Sequence, residues 1–115
     1  MQITRFAEAK PYQTTRHHDM VGLQLQGHAA SQTDVFTCGL SLFLPGGGAD
    51  MSSSPAEKIY VVLEGEIVVR TETGEYTLGP LDSCHLAPNE ARAIENRNNT
   101  VASVLVILSK PKVKV

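Results

Sequence analysis

Short runs of β-forming residues, each stopped by a Gly, Pro or Asn turn signal at spacings of about 8 to 12 residues, constrain this chain more than any other feature. Met20 to Gln26 sets Val21, Leu23 and Leu25 on one side and Gln24 and Gln26 on the other, the alternation of a half-buried strand that Gly27 ends. Asp34 to Leu44 is apolar at both parities, which predicts a strand covered on both sides and stopped by Pro45 and three glycines. Ile59 to Leu63 and Ile67 to Thr71 are joined through Glu64, Gly65 and Glu66. A glycine there supplies the positive φ of a tight turn, so these two runs are expected to pair antiparallel as a hairpin. Strands at Glu75 to Leu78, Ser83 to Leu86, Ala91 to Glu95 and Val101 to Leu108 follow. No segment has helical periodicity. So many short strands imply an all-β sandwich or barrel, because closure or sheet stacking hides their edges.

A chain of 115 residues makes one compact domain. With 42% hydrophobic and 19% charged residues it has enough apolar material to fold. The net charge of -2 argues against the basic face that nucleic-acid binding requires. The first residues lack the apolar stretch of a secretory signal, and no window has the length of a membrane span, so a cytoplasmic location is expected. Cys38 and Cys84 each lie in an apolar run and are expected as buried thiols rather than a disulfide.

From Leu40 to Asn96 the chain resembles a small single-domain cupin. The family's first motif has the form G-x5-H-x-H-x3,4-E-x6-G and its second G-x5-P-x-G-x2-H-x3-N. Counting back from Gly65 through KIYVVLEG puts Lys58 at the glutamate position and Ser54 and Ser52 at the two histidines. Asn96 matches the last residue of the second motif, and Arg92 stands for its histidine. Leu81, Ala87 and Asn89 replace that motif's first glycine, proline and second glycine. The resemblance implies a cupin-type jelly-roll β-barrel, a double-stranded β-helix, with a pocket at one end. It also implies the layout: residues 1–15 an N-terminal strand or arm, 16–108 the barrel and 109–115 a tail.

In metal-binding cupins the two histidines, glutamate and third histidine meet on one divalent cation. Two hydroxyls, an ammonium and a guanidinium are poor replacements, since charged Lys and Arg offer no lone pair. Two unit charges about 4 Å apart interact by about 4 kcal/mol at an effective dielectric near 20, and a dication doubles that. No metal and no other cofactor is therefore expected. In the family register Lys58, Tyr60 and Val62 face inward and Glu57 outward; a one-residue bulge would exchange Glu57 for Lys58.

The resulting expectation is a positively charged pocket that binds a small anionic, carboxylate-type molecule through Ser52, Ser54, Lys58 and Arg92. Repulsion from Arg92 and desolvation both lower the Lys58 pKa, so Lys58 is a candidate general base or Schiff-base former. Tyr60 or Ser54 would hydrogen-bond a developing oxyanion. Structural alternatives stand beside each role: Lys58 snorkelling to the mouth to pair near Glu57 or with Glu90, Tyr60 filling the barrel, and the serines in a solvated loop.

Four histidines are the remaining ligand candidates. His17 and His18 are adjacent, point to opposite faces and cannot chelate from one side. His28 and His85 form the one alternative metal pair, and His85 is a further candidate acid or base. Three functional classes stay open: a metal-independent isomerase, lyase or decarboxylase, a non-catalytic binder of a small anion, and an auxiliary dimeric module. A homodimer is expected by resemblance, and because the second apolar face of the 34–44 run needs a cover.

Overall fold

A computed structural model of the chain describes residues 1–110. The predicted tail therefore lies mostly outside the described residues. Among the described residues nine strands follow a single 3-10 turn at Phe6–Glu8: β1 Pro11–Tyr12, β2 His17–Gln26, β3 Phe36–Ser52, β4 Lys58–Glu64, β5 Ile67–Thr71, β6 Gly74–Leu78, β7 Ser83–Leu86, β8 Arg92–Glu95 and β9 Ala102–Ser109. All pair antiparallel in the order β6-β5-β8-β3-β9-β4-β7, with β2 also on β3 and β1 on β2. The fold is a nearly closed jelly-roll barrel, as the strand spacing and the motifs implied.

β3 belongs to both layers. Phe36 to Phe43 pair with β9, whereas Gly48 to Ser52 pair with β8. The expectation that Pro45 and the glycines would stop this strand is corrected: they bend it and it continues. A Cβ on Gly47 would sit 2.1 Å from the Asp19 carbonyl oxygen, and one on Gly48 2.0 Å from that of Ile94. Only residues without a side chain let three backbones pass this close. Asn96, 2% exposed, fixes the corner by donating from Nδ2 to the carbonyls of Phe43 at 3.0 Å, Leu44 at 3.3 Å and Thr100 at 2.8 Å.

The expected hairpin between the 59–63 and 67–71 runs is also corrected. Gly65 has the anticipated positive φ of 77°, yet β4 pairs with β7 and β9 while β5 pairs with β6 and β8. The glycine passes the chain from one layer to the other, where a Cβ would meet the Val101 carbonyl oxygen at 2.8 Å.

Between the layers lie Phe43, Ala49, Tyr60, Val62, Ile67, Val69, Leu86, Ile94, Ala102 and Val104. β2 turns its apolar side away from this core. Gly22 faces inward instead, and with Gly39 of β3 it makes room for the Tyr12 ring, whose atoms a Cβ would meet at 3.0 and 3.1 Å respectively. The outer surface of this layer carries the registered row Leu23, Leu40, Leu105 and Val61 beside Cys38, Ile107 and Ile59. Both cysteines are free and half-buried. No helix among the described residues is long and apolar enough to cross a membrane.

Candidate functional site

A cavity of about 200 Å³ opens at one end of the barrel. Its wall combines Ser41 and Phe43 of β3, Lys58 and Tyr60 of β4, Arg92 and Ile94 of β8 and Val106 and Leu108 of β9. Tyr12, Gln13, Thr14, Thr15 and His17 from the N-terminal segment complete it.

Strand alternation explains which groups reach inside. On β4, Lys58, Tyr60 and Val62 are 6%, 2% and 0% exposed, while Glu57 is exposed. No bulge exchanges Glu57 for Lys58. Arg92, 7% exposed, lies opposite Ser52 in the β3–β8 register and donates from Nη1 to Ser52 Oγ at 3.1 Å and to the Asp50 carbonyl at 3.3 Å. Its Nε donates to the Tyr60 hydroxyl at 2.9 Å. That hydroxyl keeps its own proton to offer the cavity.

Lys58 has one hydrogen bond, a long 3.4 Å contact from Nζ to the Ala56 carbonyl. Among the described residues no carboxylate forms an ion pair with Lys58 or Arg92. Burial lowers the Lys58 pKa, Arg92 lowers it further, and Glu90 pulls weakly the other way. Burial raises the Tyr60 pKa against the opposing pull of Arg92. A partly desolvated cation pair with donor groups around it suits an anionic guest.

Three candidates, Ser52, Ser54 and His85, are absent from this wall, although Ser52 is joined to it through its hydrogen bond from Arg92. Ser54 is half-buried and not in the wall; its carbonyl accepts from the Asn89 N–H at 2.7 Å. His85 is exposed on the outer side of β7, opposite Ile59, with Nε2 2.5 Å from Glu57 Oε2. The parity left open in the sequence resolves with Leu86 buried and Cys84 paired to Tyr60, so His85 cannot serve this cavity as acid or base.

The family's metal positions carry no donor set for a divalent cation. Ser52 is engaged by Arg92, and Lys58 and Arg92 are cations. Among the described residues no three His, Cys, Asp or Glu side chains gather in a metal-binding group. The alternative pair His28 and His85 is excluded by register: His28 lies just past Gln26, which pairs with Cys38 in the row that runs through Ile107 and Ile59 to His85. Four strand spacings of about 4.8 Å separate the two ends.

Sequence reasoning missed Tyr12, Ser41 and His17. Burial lowers the His17 pKa, Arg92 and His18 lower it further, and Thr15 and Asp50 oppose. His18 points the other way, to Asp50 at 3.8 Å, as alternation required.

With its motif residues gathered at the mouth of a jelly-roll barrel, the chain belongs to the cupin domain family, which it matches over residues 39–108. It is 42% identical, over 100% of its own length and 99% of the other's, to beta-D-galactosidase Rv1717 of Mycobacterium tuberculosis. Solved structures share the fold at lower identity. The polyketide cyclase RemF from Streptomyces resistomycificus superposes with a TM-score of 0.84 at 16% identity, covering 95% of this chain and 79% of that one. A predicted oxalate decarboxylase from Thermotoga maritima gives 0.79 at 20% identity, covering 96% and 100%.

Proposed function

We propose that the barrel mouth binds a small anionic metabolite of the carboxylate type, without a metal at the motif positions, and transforms it by proton transfer. The observation that carries this reading is the burial of Lys58 and Arg92 in one cavity with no carboxylate among the described residues paired to either. Arg92 anchors the acid group. Lys58, with its lowered pKa, loses its proton more readily than an exposed lysine and serves as proton carrier, and Tyr60 donates to charge developing on the substrate oxygen. Isomerisation, elimination and decarboxylation all use these parts. The chain works as a homodimer through the apolar outer face of the β2, β3, β9 and β4 layer.

A second reading, hydrolysis of a β-galactoside, is favoured by the relative at 42% identity. Glycoside hydrolysis ordinarily draws on two carboxyl groups, and the mouth has none in its wall. Glu90 instead borders a separate cavity of about 190 Å³ with Val69, Thr71, Tyr76 of β6 and His85 of β7. On this reading a galactoside binds there, with Glu90 supplying one of the two carboxyl groups.

Thermal-shift titration with small carboxylates, inorganic phosphate and galactosides, paired with turnover of a chromogenic β-galactoside, separates the readings. The first expects carboxylates to raise Tm, and Lys58→Met and Arg92→Met to remove the effect. Intact anion binding in both variants overturns it. Galactoside turnover lost in Glu90→Gln and kept in Lys58→Met supports the second.

A further inference from the structure

The mouth is rich in hydrogen-bond donors, and its neutral acceptors, among them the Gln13 amide oxygen and the Ser41 hydroxyl, are weakly basic. Arg92 only donates, and Lys58 does so while it is charged. The Tyr60 oxygen already accepts from Arg92, and the Thr14 hydroxyl is turned to the Met20 sulfur at 3.4 Å. His17 is different. Its Nδ1 lies 2.6 Å from the Thr15 carbonyl oxygen, and because a carbonyl can only accept, Nδ1 carries the ring proton. The other nitrogen, Nε2, is left as a lone pair on a ring that lines the cavity, with no partner among the described residues. The neighbouring Arg92 guanidinium disfavours a second proton on the ring.

We infer that His17 Nε2 accepts the proton of a substrate hydroxyl, alongside the proton that Lys58 carries, and that the molecule held there is a hydroxy acid, a carboxylate bearing a hydroxyl on the neighbouring carbon. The inference rests on the anion-binding reading. With the carboxylate against Arg92 and the charged form of Lys58, the hydroxyl donates to Nε2, the imidazole nitrogen that lines the wall. When the reaction builds charge on that oxygen, its proton passes to Nε2, the electron pair stays on oxygen, and the proton returns to the product. A carboxylate lacking the hydroxyl forgoes the bond to Nε2 on this half-buried ring, so the site discriminates against it by the value of that bond.

The test compares lactate and glycerate with propionate, measuring binding to the wild-type chain, His17→Gln, His17→Phe and Arg92→Met by calorimetry. The wild type is expected to prefer the hydroxy acids by about tenfold, the value of one good hydrogen bond. His17→Gln keeps part of that preference through its amide oxygen, His17→Phe loses it while retaining propionate, and Arg92→Met loses all three acids. Equal affinity for lactate and propionate in the wild type overturns the inference and leaves the anion-binding reading standing. No binding of any of the three overturns both. Two-bond proton–nitrogen NMR gives a readout independent of ligand: the Nδ1–H tautomer is expected for His17, and the Nε2–H tautomer overturns the inference.

Discussion

Burial depresses the pKa of Lys58, and Arg92, which lines the same cavity, depresses it further. Two cations so placed repel each other as long as the cavity holds no anion. The positions that carry this repulsion are those at which related barrels gather metal ligands.

Replacing Lys58 by Met is therefore expected to stabilise the chain while removing its anion affinity. Exchanging an unpaired buried cation for a side chain of similar volume is worth about 1 kcal/mol, or about 4 °C in Tm for a chain of this size. The sign with pH follows from the lowered pKa. Between the folded value and the ordinary 10.5 the unfolded chain holds more protons, so wild-type stability gains from rising pH in that window. Urea midpoints at pH 7 and pH 10 should show the Met variant's advantage shrinking, and an advantage that grows would contradict the assignment.

Tyr60→Phe removes the acceptor of the Arg92 Nε–H in the barrel interior. A stability loss of about 1 to 2 kcal/mol is expected from the unsatisfied charged donor, with carboxylate affinity falling about tenfold as the guanidinium loses its fixed orientation. Calorimetric titration with lactate checks the second number. Unchanged affinity would remove Tyr60 from the binding geometry.

At the corner of β3, Asn96→Ala removes the two N–H donors that three carbonyl oxygens share and should cost about 2 kcal/mol in chemical denaturation. Asn96→Asp should cost at least as much, because a carboxylate cannot donate to carbonyls. A milder Asp variant would show that packing rather than donation holds the corner.

The glycines of the corner are separable by experiment. Gly48→Ala drives a Cβ into the Ile94 carbonyl and should cost about 3 kcal/mol, displacing Arg92 with β8. Gly46→Ala meets no atom within 4 Å and pays only for its φ of 81°, about 1 kcal/mol. Equal losses would mean that backbone conformation, not close approach, selects glycine here.

Ile59 is 40% exposed in the apolar row with Ile107 and Cys38. If that face joins two copies, Ile59→Glu should give a monomer in analytical ultracentrifugation while leaving the far-ultraviolet spectrum unchanged. A wild-type monomer at micromolar concentration would exclude the dimer.

The strand runs were legible because alternation and turn residues are local signals. Partner choice was not. Gly65 announces a positive φ, which a hairpin and a passage between layers both use, and the difference lies in distant partners on β7, β8 and β9. The glycines after Pro45 read as a loop, although their missing side chains are what allow β2, β3 and β8 to meet. At the mouth, spacing from Gly65 located Lys58 and spacing from Asn96 located Arg92, since motif distances fix strand parity. The same counting excluded a His17–His18 chelate but gave no hint that His17 would face Arg92, which depends on β2 bending with β3 at Asp19, where φ is 48°.

Because one seventeen-residue strand is stitched into both layers, neither layer can open while the other stays folded. Hydrogen exchange should find the amides of β3 in a single slowly exchanging class on both sides of Pro45, and denaturation should proceed as one cooperative step.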